Sequence, residues 1–259
     1  MLELAHASTP LSPLHVVLVL GAGLVAGIFN GVAGGGSLIS FPLLLALGYP
    51  ALTANVTNTV GIWPGYLGSA AGYRTEIAGQ KVRLVRLSPA AIGGGVIGAI
   101  LLLTTPSADF TRLAPYLILA AAALFAVQPL LRRALDRGSP TSATRTVLLQ
   151  GGTFGASIYG GYFGAGMGVM LLAILGLALP DSIARTSGLR TVLSILINGV
   201  AAIVFLVHGG LAWDAVWLLA GGSLVGGWIG ARVALAIPAA ALRAVVILIG
   251  VGTAVKLLA

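Results

Sequence analysis

The sequence predicts an all-α polytopic membrane protein made of two inverted-topology repeats of about five helical segments each, eight to ten transmembrane segments in total. Three observations carry this. First, 58% of the 259 residues are apolar and only 8% are charged, with a mean hydropathy of +1.05. A soluble domain carries about 25% charged residues to hold its surface in water, so this surface is meant for lipid. Second, no Lys, Arg, Asp or Glu occurs from Ser12 through Tyr73, room for three crossings at about 20 residues each. Third, a shift of 130 residues lays Gly21 on Gly151, Gly31 on Gly161, Gly34 on Gly164, Gly36 on Gly166, Pro50 on Pro180 and Ala54 on Ala184 without a gap.

The first repeat occupies residues 1–131. Residues 1–13 carry Glu3 and two prolines but no basic side chain, unlike the basic start of a secretory signal peptide. The expected segments run from Leu14 to Val32, Gly35 to Leu47 and Leu52 to Gly72, the middle one short for a crossing. It either crosses fully or pairs with the first as a re-entrant hairpin. Bends are expected at Pro42 and Pro64, because proline removes a helical donor. A basic stretch with Arg74, Lys81, Arg83 and Arg86 follows, then segments at Ser88 to Thr104 and Leu113 to Leu131. Residues 132–145 form a basic linker. The second repeat, 146–259, gives segments at Thr146 to Tyr162, Gly164 to Leu179, Thr191 to His208, Ala215 to Ala231 and Ala239 to Leu258.

Basic loops mark the cytoplasmic side. Placing residues 74–86 and 132–145 there puts Arg185 and the 232–243 turn inside, with both termini outside. An odd number of segments per repeat inverts the second copy relative to the first, an arrangement that recurs in secondary transporters. The net charge of +8 therefore reports topology, and a nucleic-acid role has no support. With no cysteine, disulfides and thiolate chemistry are excluded. The sequence has no paired glycosidase-type carboxylates, no clustered metal ligands, no GxSxG elbow and no Walker lysine. Neither an enzyme nor a cofactor is expected.

Two regions are candidates for binding. The glycine junctions, Gly34, Gly35, Gly36 and Ser37 in one copy and Gly161, Gly164 and Gly166 in the other, allow sharp turns and present helix-start amides suited to anions. The alternative is close helix packing. Tyr159 flanks the second junction. Asn55 and Asn58, three residues apart, share a helix face and offer neutral donors. The shift puts Arg185 opposite Asn55, with Arg190 just beyond. These arginines either add positive charge to a binding site or mark the cytoplasmic start of a helix. Aromatics such as Trp213, Trp217 and Trp228 suit interfacial anchors, and His15 or His208 could carry a coupling proton.

The stretch GIFNGVAGGGSLISFPLLLALGYPALTANVTN, with its later counterpart GGYFGAGMGVMLLAILGL, resembles the sulfite exporter TauE/SafE family of bacterial and archaeal membrane permeases. The resemblance covers essentially the whole chain. It implies transport of a small sulfur-containing or organic anion, of the sulfite, sulfonate or sulfoacetate type, across the inner membrane. Gly34, Gly35, Gly36, Asn55 and Asn58 match the family's first motif, and Gly161, Gly164 and Gly166 its second, with Arg185 as counterpart of the asparagines. Met167 stands where the first copy has Ser37, favouring one asymmetric site over two equivalent ones. The expected partners are a small anion and the lipid bilayer, with proton coupling and a homodimer as open candidates. Import or exchange of another anion, a passive channel and a structural membrane subunit are the alternatives.

Overall fold

The computed structural model describes residues 12–135, 142–179, 181–234 and 239–258. The chain is an all-α polytopic membrane protein. Among the described residues five helices are long and apolar enough to cross a membrane: Pro13–Val32, Lys81–Thr104, Ser107–Val127, Ile183–His208 and Trp213–Val233. Large apolar side chains such as Leu14, Val17, Trp217 and Val207 lie exposed on their outer faces, as lipid contact requires.

In chain order the helices are α1 (Pro13–Val32), α2 (Ser37–Ala46), α3 (Ala51–Gly72), a single turn α4 (Arg74–Ile77), α5 (Lys81–Thr104) and α6 (Ser107–Leu135). They continue with α7 (Ser142–Tyr162), α8 (Met167–Ala178), α9 (Ile183–His208), α10 (Trp213–Val233) and α11 (Ala239–Leu258). The 130-residue shift carries α1, α2, α3, α5 and α6 onto α7, α8, α9, α10 and α11. The short helices α2 and α8 hold 10 and 12 residues, about 15 and 18 Å at 1.5 Å per residue. That is roughly half of a hydrocarbon core about 30 Å thick, so neither spans it alone.

Three helices start at least six residues earlier than hydropathy suggests. α5 begins at Lys81 instead of Ser88, α6 at Ser107 instead of Leu113, and α9 at Ile183 instead of Thr191. Charged residues end an apolar run but not a helix, because Arg and Lys are good helix formers. Ser182 caps α9 by accepting from the Arg185 amide at 3.3 Å, and Ser12 caps α1 in the same way, with Pro13 in its first turn. The 132–145 stretch is partly helical, since α6 runs to Leu135 and α7 starts at Ser142; residues 136–141 lie outside the described residues. Pro42 and Pro64 lie within α2 and α3.

Packing partners cross between the halves. α10 lies against α1 and α3, and α5 lies against α7 and α9, while α3 meets α9 and α6 meets α11. Small residues bring the backbones together. A Cβ on Gly27 would sit 2.3 Å from the Ser223 carbonyl of α10, and one on Gly98 would sit 2.1 Å from the Ile158 carbonyl of α7. Such close approach substitutes for the missing hydrophobic drive between helices in lipid.

Polar contacts define the two ends of the bundle. At one end the Tyr49 hydroxyl donates to Asp214 Oδ2 at 2.8 Å and lies 3.1 Å from His15 Nε2. This gathers the starts of α1 and α10 and the α2–α3 connection. Burial, and then the Asp214 carboxylate, raise the Tyr49 pKa, so its phenol stays a donor. At the other end Arg83 and Arg185 both pair with Asp181. There Gln80 Nε2 donates to the Glu76 and Arg185 carbonyls at 2.8 Å, and Arg145 donates to the Ala178 carbonyl at the end of α8. The α1–α2 hairpin opens toward the first end and the α7–α8 hairpin toward the second. Arg74, Lys81, Arg83, Arg86, Arg145 and Arg185 all belong to elements gathered at that second end.

Gly27→Ala is expected to cost about 1–3 kcal/mol by overpacking α1 against α10. Gly21→Ala, which meets open space, changes stability by no more than about 1 kcal/mol. Thermal unfolding of the two variants in detergent checks the contrast.

Candidate functional site

The two glycine junctions close by the same hydrogen bonds. In the first, the amides of Ala33 and Gly34 both turn back to the Phe29 carbonyl, at 2.8 and 2.9 Å. In the second, Phe163 and Gly164 turn back to the Tyr159 carbonyl, at 2.9 and 3.2 Å. Gly34 and Gly164 have φ of +81° and +78°, a left-handed conformation that ends a helix and favours glycine. After Gly34 the chain restarts as α2, and after Gly164 as α8, with Gly166 also left-handed at its start.

The hairpin tips meet. A Cβ on Gly34 would lie 2.5 Å from Gly168 Cα, and one on Gly168 would lie 2.4 Å from Gly34 Cα. The turn between α1 and α2 thus touches the first turn of α8, backbone to backbone. Gly35 presses on the Phe125 ring and Gly36 on the Ala26 carbonyl, so side chains are sterically excluded at both.

Polar side chains hold these interrupted helices. Asn30 Oδ1 accepts the Gly36 amide at 2.8 Å, and Tyr159 donates to the Ala165 carbonyl at 2.7 Å. Asn58 Oδ1 accepts from the Ser40 hydroxyl, which ties α3 to α2. Asn55 Nδ2 donates to the Tyr162 carbonyl at 3.0 Å, reaching from α3 to the end of α7. In the opposite direction Arg190 reaches from α9 to the end of α1. Its Nη2 donates to the Asn30 and Gly31 carbonyls at 2.9 and 3.0 Å. Tyr73 adds a bond from its hydroxyl to Gly31 O at 3.0 Å. Each half thus supplies the cap for the other half's broken helix.

Arg190 is only 1% exposed. Among the described residues its ion is not paired with a carboxylate, and its Nε and Nη1 are buried without a hydrogen-bond partner. Asn30 Nδ2 and Asn55 Oδ1 are likewise buried and unpartnered. A buried polar group without a partner costs about 1–3 kcal/mol, and a charged one more. Gly34 faces this guanidinium, since a Cβ there would sit 2.7 Å from Nη1.

Of the sequence candidates, Gly34, Gly35, Gly36, Ser37, Asn55, Asn58, Tyr159, Gly164 and Gly166 belong to the two junctions or to the bonds that brace them. Gly161 faces α5, where a Cβ would lie 2.2 Å from the Gly95 carbonyl. Arg185 lies in the first turn of α9, 40% exposed and 3.6 Å from Asp181, and the structure does not bring it to the junctions. The sequence leaves Arg190 open between a binding charge and a topology mark, and does not single out Asn30, Ser40 or Tyr73. A signal for Arg190 exists: a cap at Ser182 starts α9 there and places Arg190 two turns inside the helix. Among the described residues no group of three His, Asp or Glu side chains could hold a metal.

The family model described as Sulfite exporter TauE/SafE matches residues 19–257. A protein of Sinorhizobium sp named probable membrane transporter protein ORF9 is 27% identical over 247 residues, covering 92% of this chain and 90% of the relative. A probable membrane transporter protein of Haemophilus influenzae is 30% identical over 214 residues, 81% of either chain. The probable membrane transporter protein YfcA of Escherichia coli strain K12 is 22% identical over 248 residues, 95% of this chain and 91% of the relative. No solved structure matches this chain.

Asn55→Ala leaves the α7 terminus without its cap and is expected to cost about 1–3 kcal/mol. Arg185→Ala removes a half-exposed pair and should cost no more than about 1 kcal/mol. Denaturation of both variants in detergent measures the difference.

Proposed function

The chain belongs to the sulfite exporter TauE/SafE family, and on that premise we propose that it is a secondary transporter exporting a small sulfur-containing or organic anion, of the sulfite, sulfonate or sulfoacetate type, by alternating access. The family and the relatives are transporters, not enzymes. The observation that carries the reading is the contact of the α1–α2 turn at Gly34 with the first turn of α8 at Gly168, with an arginine and amide side chains around it. The free amides of a helix start, as at α8, favour an anion. Backbone contact between the tips leaves no open path there, so passage requires the hairpins to move, which favours a carrier over a passive channel.

The halves 1–131 and 146–259, joined by the basic linker 132–145, act in this proposal as inverted repeats. Three things support it: the matching helix bounds, the crossed packing and the hairpins opening toward opposite ends. The end bearing Arg74, Lys81, Arg83, Arg86 and Arg145 is cytoplasmic by the positive-inside rule, in a bacterial or archaeal inner membrane with both termini outside. An inside-negative potential then drives an anion outward with about 2.3 kcal/mol per charge per 100 mV. Proton exchange is a second driving force to be tested, and a homodimer is the assembly we propose.

Flux into proteoliposomes tests the carrier. Sulfite, sulfate, taurine and sulfoacetate are compared with and without imposed potential and pH gradients. Saturable, potential-driven flux of one sulfur anion, lost in folded Asn58→Ala, is the expected result. No flux of any of them under any gradient would sink the reading. Topology is tested by single cysteines in this cysteine-free chain: Thr75→Cys should react with an impermeant thiol reagent only from the cytoplasm, and His208→Cys only from outside.

A further inference from the structure

We propose that Arg190 is the central anion-binding residue, that its ligand is a compact oxyanion with at least two terminal oxygens, and that the ligand arrives from the basic end through a vestibule closed by Tyr73 and Ser187. This rests on the transport reading and names the group at which the cargo is held.

Capping α1 accounts for only one of the three guanidinium nitrogens. Nη2 is occupied by the Asn30 and Gly31 carbonyls, a fitting place for a cation at a helix C-terminus. Nε and Nη1 remain buried and unpartnered. The same Asn30 that receives Nη2 has its own Nδ2 buried and unpartnered. Several such donors call for a ligand with several acceptors and a negative charge, since charge-assisted bonds to an oxyanion satisfy both deficits together. The nearest wall is Gly34, and the first turn of α8 lies across from it at Gly168. Arg185, by contrast, already has Asp181.

A cavity of about 290 Å3 opens beside this position, lined in part by Val32, Gly72, Tyr73, Glu76, Ser187 and Arg232. Val32 is the last residue of α1, and the Tyr73 hydroxyl is bonded to Gly31 O, the carbonyl that also receives Arg190. The Ser187 carbonyl accepts from Thr191, the neighbour of Arg190. Tyr73 and Ser187 thus line the cavity on the side of Arg190, Tyr73 by sharing the Gly31 carbonyl with the guanidinium and Ser187 by lying one turn before it on α9; in this proposal they close the vestibule, and freeing Tyr73 from Gly31 opens it. Glu76 and Arg232 on the lining belong to the end of the bundle that holds the basic residues. In the proposed orientation this is the cytoplasmic side, where an exporter loads.

The test compares wild type and Arg190→Lys in detergent, by equilibrium dialysis against radiolabelled sulfite and sulfoacetate, with thermal unfolding to establish folding. Lysine keeps the charge but loses the planar set of donors, so the expected result is saturable binding in wild type and at least tenfold weaker binding in the variant. Ser187→Cys, with Arg190 intact, supplies an arm independent of that variant's folding. Its alkylation by a charged thiol reagent should slow at least fivefold in saturating sulfoacetate and not in equal chloride. Unchanged binding by folded Arg190→Lys, or alkylation indifferent to sulfoacetate, overturns the assignment. If flux is present when that happens, the transport reading survives and only the Arg190 site falls. If wild type neither binds nor carries any of the anions, both fall.

Discussion

The bilayer interior offers no water to a broken helix, and the arrangement of this protein follows from that. Each interruption at Gly34 and Gly164 frees carbonyls and amides that lipid cannot satisfy, at several kcal/mol for each group left bare. The protein meets the demand with side chains from both halves, of which Arg190 and Asn55 reach across from the opposite one. Arg190 and Tyr73 serve the end of α1, Asn55 serves the end of α7, and Asn30 and Tyr159 serve the turns themselves. Because Arg190 and Asn55 cross between the halves, the two junctions hold each other in place.

The same crossing appears in the packing. α10 is sheathed by α1 and α3, α5 by α7 and α9, and glycines at the contacts bring main chains to within van der Waals distance. The fold is therefore built from elements exchanged between halves, not from two bundles side by side. In such a structure the movement of one hairpin tip is felt at the other through Gly34 and Gly168, which is the mechanical property an alternating-access carrier requires. In the transport cycle proposed above, breaking and remaking these few caps is what separates one tip from the other.

Charge is distributed in two layers with different purposes. Arg83, Arg185 and Asp181 form a paired cluster at one end of the bundle, joined there by Gln80 and Arg145. Arg190 stands apart from them, buried, with part of its guanidinium unused. An ion in the first layer is screened by solvent and headgroups and orients the protein. An ion in the second is costly in lipid and is the kind of group that marks a substrate path.

Composition, the charge-free span from Ser12 to Tyr73 and the 130-residue recurrence made the class of protein legible from the sequence alone, because lipid solvation and helix length are properties of local composition. They also located both junctions, since glycine runs are visible wherever the backbone must turn. Hydropathy misjudged where α5, α6 and α9 begin, because it measures transfer to lipid and not the persistence of a helix through Lys81, Arg112 or Arg185. Spacing could not separate Arg185 from Arg190. Both lie near the start of one helix, and only its packing decides that one faces Asp181 at the bundle's end while the other turns inward to Asn30 and Gly31. The crossed caps and the contact of Gly34 with Gly168 join residues more than 100 positions apart, and such contacts exist only once the two halves have been folded around each other.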